Sequence, residues 1–223
     1  MGSMTYHLVV RTLGGKSLLT ERSHCAWVWR NLRRVFPEAW ICVIMPDHIH
    51  LVCDSDDPAE LLWKFSTVLR GLSTHMGKGA VWERVPKPEP VRNYSHFLRT
   101  FRYVVLNPCR DRLCSDPLEW EWSSYRDLFG AVVDPWITWS RLEGVLRRSS
   151  VKSLVALHEW ISGDPSVEVT GTAAPKVSSV ANEAAFFDLM HRSGFRSGSS
   201  TFSLLQIAEW APIVRRKGKK FAH

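Results

Sequence analysis

Polar and apolar residues alternate over residues 5–12, TYHLVVRT, which are rich in β-branched and aromatic side chains. A period of two predicts a strand, and Gly14-Gly15 then marks a turn. Further on, Cys25, Val28, Trp29, Leu32 and Phe36 recur at helical spacing, with Arg22, Arg30, Arg33 and Arg34 largely on other faces and Pro37 as the stop. Residues 39–45 form a continuous apolar run suited to a central strand. Met45-Pro46-Asp47 makes a turn, and residues 48–53 return as the hairpin partner. Asp57, Pro58 and Glu60 then supply an N-cap, a proline at the first helical position and a glutamate three after the cap. The helix they open runs to about Met76, buries Leu61, Leu62, Phe65, Val68, Leu69 and Leu72, and ends at Gly77 and Gly79. A strand is expected over residues 81–85, followed by a VPKPEPV loop whose prolines prevent continuous pairing, and a third helix over residues 94–107 that Pro108 ends. The order β-α-β-β-α-β-α predicts an α+β fold: a ferredoxin-like antiparallel sheet with its helices packed on one face.

After Arg112 the pattern changes. EWEWSSY at residues 119–125 leads to a loop with Asp134-Pro135 and to helical stretches over residues 139–147 and 151–161. A small-residue linker starts at Ser162, and helices over residues 183–193 and 202–214 precede a basic tail at 215–220. The expected organisation is therefore a catalytic domain over residues 4–130 and a mainly helical extension over 131–223 that carries the basic tail. Trp120, Trp122, Ser123, Ser124 and Tyr125 are expected to pack the C-terminal end back on the sheet. No internal repeat is present.

A chain of 223 residues has room for one well-cored domain and a smaller appendage. Its formal net charge of +7 favours an anionic partner, nucleic acid before membrane, because no long basic amphipathic helix stands out. No apolar run reaches the roughly 18 residues of a membrane span. Met1-Gly2-Ser3 ahead of Met4 reads as an expression remnant, and nothing after it resembles a secretory signal. The five cysteines include no CxxC pair, and two lie in strand-like apolar runs, as expected in a reducing cytoplasm. The eleven tryptophans fall mostly at helical or strand spacing and are read as core.

Two short segments carry candidate chemistry. On the strand after the turn, His48, His50 and Val52 share one face while Ile49 and Leu51 anchor the other, so both imidazoles point outward together. Imidazoles about 7 Å apart along a strand can converge on one ion with a third ligand from elsewhere. The alternative is an incidental HxH on a half-exposed strand. On the third helix, Tyr103 and Asn107 are i and i+4, with Arg99 one turn earlier. Attack on a phosphodiester would use Tyr103 as nucleophile, the Asn107 carbonyl as a hard ligand, and Arg99 or Arg102 as a phosphate clamp. The alternative is that Tyr103 packs on the helix flank and Asn107 merely ends the helix.

Taken in order, MPDHIHLV, FRYVVLNPCRDRL and WEWSSY resemble the HUH single-strand transposases, and most closely their REP-associated tyrosine transposase branch, over roughly residues 5–130. The family pattern is Met-Pro-Asn-His-x-His-Leu, Tyr-Ile-x-x-Asn-Pro-Val-Arg-Ala, then Trp-Ser-Ser-Tyr. The resemblance implies that His48, His50 and Asn107 hold Mg²⁺ or Mn²⁺, that Tyr103 attacks single-stranded or hairpin DNA to form a 5′-phosphotyrosine, and that Arg99, Arg102 and Arg110 contact phosphate. It further implies a bacterial cytoplasmic location and a monomer, with a dimer that exchanges the tyrosine helix as the other arrangement. Asp47 stands where the family has asparagine, Cys109 and Asp111 replace Val and Ala, and the VPKPEPV loop lacks an aromatic-rich lead-in. A domesticated, non-cleaving binder of structured nucleic acid is the competing function, and a replication or plasmid-transfer initiator is a third.

Overall fold

Strand alternation divides the interior in two. In a computed structural model, which describes residues 2–163 apart from 132, 133, 148, 150 and 152, the first strand is β1, Met4–Arg11. Its Leu8 and Val10 are buried with Ile49, Leu51 and Cys53 of β3, His48–Ser55, under α1, Arg22–Val35, and α2, Pro58–His75. β2, Ala39–Ile44, and β3 form the expected antiparallel hairpin, and β3 pairs with β1 so that Arg11 faces His48, Val9 faces His50 and His7 faces Val52. Asp57 caps α2 by accepting from the Ala59 N–H at 2.7 Å, and Gly77 ends it at a φ of 63° that a side chain would resist.

The fourth strand is not the 81–85 segment, which contributes only a single bridge between Trp82 and Thr12. It is β4, Glu89–Pro90, inside the proline loop, and it pairs antiparallel with His7 and Tyr6. The loop hangs on β1 at both ends, where Glu83 N–H donates to the Arg11 carbonyl at 2.9 Å and Val91 N–H to the Thr5 carbonyl at 2.8 Å. Prolines are tolerated there because an edge strand can turn a position without an N–H outward. The four-stranded antiparallel sheet has the order β2-β3-β1-β4.

Helices occupy both faces of this sheet, not one. α3, Tyr94–Val105, packs Phe97, Phe101, Val104 and Val105 against Ile41, Val43 and Val52, the face opposite α1 and α2. α4, Asn107–Arg110, follows after a one-residue break at Leu106. The β2 sequence contains the reason: Ile41, Cys42, Val43 and Ile44 are all buried, so this strand is apolar on both sides and both need a cover.

α5, Trp139–Leu146, and α6, Leu154–Gly163, extend the α3-side core through Leu142, Leu146, Leu154, Leu157 and Ile161. α5 starts where the expected helical stretch does, α6 starts at Leu154 instead of Val151, and Ser162 and Gly163 belong to α6 instead of opening a linker. The remainder of that linker, the helices over 183–193 and 202–214, and the basic tail lie outside the described residues. EWEWSSY covers the outer edge of β2: Ile44 N–H donates to the Trp122 carbonyl at 2.9 Å, the Trp120 indole to the Ile44 carbonyl at 2.9 Å, and Cys42 N–H to Ser124 Oγ at 2.9 Å. Among the described residues no helix is long and apolar enough to cross a membrane.

Candidate catalytic and metal-binding site

The period of two in β3 turns His48 and His50 to the α3 side, as the sequence implies, but not into solvent. α3 and α4 cover them, and His48, His50 and Asn107 retain only 2%, 1% and 4% exposure. Asn107 opens α4 instead of closing α3, because Pro108 fits the first turn of a new helix, where its missing N–H is not needed. The Asn107 carboxamide lies between the two imidazoles.

Five side chains form one polar row. His48 Nδ1 donates to Asp47 Oδ1 at 2.6 Å, and His48 Nε2 faces Asn107 Oδ1 at 3.2 Å. Asn107 Nδ2 donates to His50 Nε2 at 2.8 Å, and His50 Nδ1 lies 3.0 Å from His7 Nε2. Both Nε2 atoms and the amide oxygen therefore converge on one locus. A carboxylate only accepts, so in a neutral His48 the hydrogen sits on Nδ1 and Nε2 carries a lone pair. As placed, that lone pair meets another on Asn107 Oδ1; a cation between them satisfies the pairing, and turning the amide over satisfies it by hydrogen bonding. The donor set of two imidazoles and one carbonyl oxygen thus suits a divalent ion. Among the described residues no group of three or more His, Cys, Asp or Glu is arranged to hold a metal.

Burial also sets the electrostatics. His50 is held well below the ordinary imidazole pKa, first by desolvation and then by His7, His48, Arg11 and Arg110. His7 is lowered to about 4, by desolvation and then by His96. Both rings are neutral near pH 7, the form that ligates a cation or accepts a hydrogen bond.

Tyr103 stands edge-on to His50, with ring centroids 5.6 Å apart at 86°, and edge-on to His7 at 6.4 Å and 78°. It is half-buried, and the Arg110 guanidinium lies over its ring at 4.9 Å. Among the described residues Tyr103 makes ring contacts and no hydrogen bond. Arg99, one turn before Tyr103 on α3, is exposed. The third expected phosphate contact, Arg102, is not in the site: it is 2% exposed, and its Nε donates to the Ile161 carbonyl of α6 at 2.9 Å. One residue is about 100° of helix, enough to turn it from the Tyr103 face into the core. The structure thus brings together Tyr103, His48, His50, Asn107 and Arg110, leaves Arg99 at the rim and removes Arg102.

Two residues join the site without a signal from the motifs. His7 and Arg11 lie on the α3 face of β1, and Arg11 Nη1 is 3.5 Å from Asp47 Oδ2, which links the rim to the carboxylate behind His48. Alternation within TYHLVVRT puts His7, Val9 and Arg11 on one face; only the pairing of β1 with β3 brings that face to the histidines. Tyr125 lies elsewhere, fully buried against His158.

No protein-family model matches the chain. No curated protein gives a significant match either. Among solved structures the chain is similar to a REP-associated tyrosine transposase bound to a REP hairpin, with 19% sequence identity and a TM-score of 0.48 over 56% of this chain and 79% of that chain.

Proposed function

We propose that this protein is a metal-dependent single-stranded DNA transesterase that nicks and rejoins hairpin DNA through Tyr103, on a catalytic unit of ferredoxin-like plan. The observation that carries the proposal is the Asn107 carboxamide set between His48 Nε2 and His50 Nε2, at 3.2 and 2.8 Å, with the Tyr103 ring packed against His50. A nucleophile and three ligands thus meet at a half-open position beneath a basic rim.

The Tyr103 oxygen attacks phosphorus, the bond from phosphorus to the 3′ oxygen breaks, and the departing oxygen takes up a proton as a free 3′-hydroxyl. The product is a 5′-phosphotyrosine that conserves the bond energy, so a second 3′-hydroxyl reverses the step without an energy cofactor. Mg²⁺ or Mn²⁺ bound by His48, His50 and Asn107 would neutralise charge on the non-bridging oxygens. Asp47 orients His48, Arg110 packs on the phenol, and Arg99 meets the incoming backbone. The working unit in this reading is a monomer.

The test is a labelled hairpin oligonucleotide incubated with the purified protein and Mg²⁺ or Mn²⁺. A covalent adduct that chelation abolishes is expected. Hairpin binding with steep salt dependence and no adduct with any metal would instead assign the protein to non-cleaving binders.

A further inference from the structure

His7 lies outside the motifs that mark the site, yet β1 delivers it to the far side of His50. In the antiparallel register His7 faces Val52 and Val9 faces His50, so His7 is the diagonal neighbour of His50, within reach for an aromatic side chain. The rings stack at 17° with centroids 5.2 Å apart, and His7 Nε2 lies 3.0 Å from His50 Nδ1.

With the Asn107 amide oriented as in the structure, hydrogen counting fixes the roles. Asn107 Nδ2 donates to His50 Nε2 at 2.8 Å, so Nε2 carries a lone pair. A neutral imidazole has one N–H, which must then be on Nδ1 and be donated to His7 Nε2, leaving the hydrogen of His7 on its own Nδ1. We infer that His7 is a positioning residue that holds His50 as the Nδ1–H tautomer and aims its Nε2 lone pair at the Asn107 locus. Asp47 does the same for His48 through a carboxylate. The two imidazoles are thus matched in tautomer by one anionic and one neutral acceptor, and His7 adds no second negative charge beneath α3. Its edge contact with Tyr103 also fixes the distance between nucleophile and ligand pair. The functional consequence, tighter cation binding, rests on the metal reading above; the tautomer rests on the orientation of the Asn107 amide.

The experiment separates the two. Long-range proton–nitrogen correlation on nitrogen-15-labelled, metal-free full-length protein should show His50 as Nδ1–H, its signals assigned by their loss in His50→Gln. His7→Phe, which keeps a ring but no acceptor, should lose that tautomer, and His7→Gln, whose Oε1 can accept, should keep it. Mn²⁺ titration followed by electron paramagnetic resonance should then show His7→Phe binding about 10- to 100-fold more weakly than wild type and His7→Gln within a few fold of it. An Nε2–H tautomer of His50 in the wild type, or an unchanged Nδ1–H tautomer in His7→Phe, overturns the inference. If His7→Phe fails to fold, the wild-type and His7→Gln spectra decide. A wild type with Nδ1–H His50 that takes up no Mn²⁺ rejects the metal reading and leaves the role of His7 standing.

Discussion

His50 and His158 are both buried in polar rows on the α3 side of the sheet, and their surroundings differ. His50 lies between His7 and Asn107, with Tyr103 half-exposed beside it. His158 of α6 lies between the Tyr125 hydroxyl at 3.1 Å and Asp116 Oδ2 at 3.1 Å, with Ser162 Oγ at 3.4 Å. On paper the second row is the more suggestive, a tyrosine, a histidine and a carboxylate in series. Yet Tyr125 and His158 are 0% exposed and Asp116 is 1%, and Asp116 is further committed to capping the turn at Pro117–Glu119. Nothing reaches that tyrosine, and burial holds its hydroxyl well above the usual phenol pKa. The row fastens α6 to the core. In the first row two lone pairs and an amide oxygen are turned to one locus and the phenol is accessible. Residue types make chemistry possible; convergence and access decide where it occurs.

That contrast can be broken at several points. The largest effect belongs to the first row. His48→Ala or Asn107→Ala should lower metal-dependent adduct formation by about 10³-fold, the several kcal/mol that a bound ion contributes to phosphoryl chemistry. If Asn107→Ala cleaves normally, the ion is held otherwise and Asp47 becomes the next ligand to test. In the second row, His158→Ala removes one of the partners of the buried Asp116 carboxylate and should cost about 1–3 kcal/mol, read from the denaturant midpoint. Adduct yield per folded molecule should be unchanged, and a selective loss of activity at full stability would reverse the roles given to the two rows.

Asp127, enclosed near the second row, sharpens the picture through pH. Burial raises its pKa to about 7, against the pull of the Trp136 N–H that it accepts at 2.8 Å and of Arg33 and Arg126. A raised acid holds its proton in the folded state after the unfolded chain has lost it. Its contribution is therefore full below the unfolded value of 3.8 and is lost as pH rises through about 7. Wild type should lose stability relative to Asp127→Asn between pH 4 and pH 7, by up to a few kcal/mol, in urea melts across that range. A parallel pair of curves would place the carboxylate in a more solvated setting.

The smallest effect separates two arginines three residues apart on α3. Arg99→Gln should weaken hairpin binding a few fold and lower the salt slope by about 1, as for one phosphate contact. Arg102→Gln should leave that slope unchanged and lower stability, because its guanidinium serves the Ile161 carbonyl inside the core. Equal salt slopes in both variants would remove Arg99 from the interface.

Much of the first row is written in local periodicity. HIHLV alternates, so one face carries both imidazoles, and Tyr103 and Asn107 are four residues apart, although Tyr103 lies on α3 and Asn107 opens α4. What periodicity cannot supply is pairing. His7 and Arg11 become site residues only because β1 lies antiparallel to β3, a contact of high sequence separation. Arg102 reads as a surface cation until α6 covers it from 59 positions further along the chain. The second helical layer had a signal in the uninterrupted apolar run of β2, which is the mark of a strand buried on both faces. The prolines of residues 85–91 pointed to a loop, and they conceal a two-residue edge strand because an edge tolerates a missing N–H.

The central claim is that Tyr103 is the nucleophile of a metal-assisted transesterification. Its most direct test is denaturing electrophoresis of wild type and Tyr103→Phe after incubation with an end-labelled hairpin and Mn²⁺, with peptide mapping of any adduct. A metal-dependent adduct that maps to Tyr103 and is absent from Tyr103→Phe is the expected result; an adduct that persists in Tyr103→Phe contradicts it.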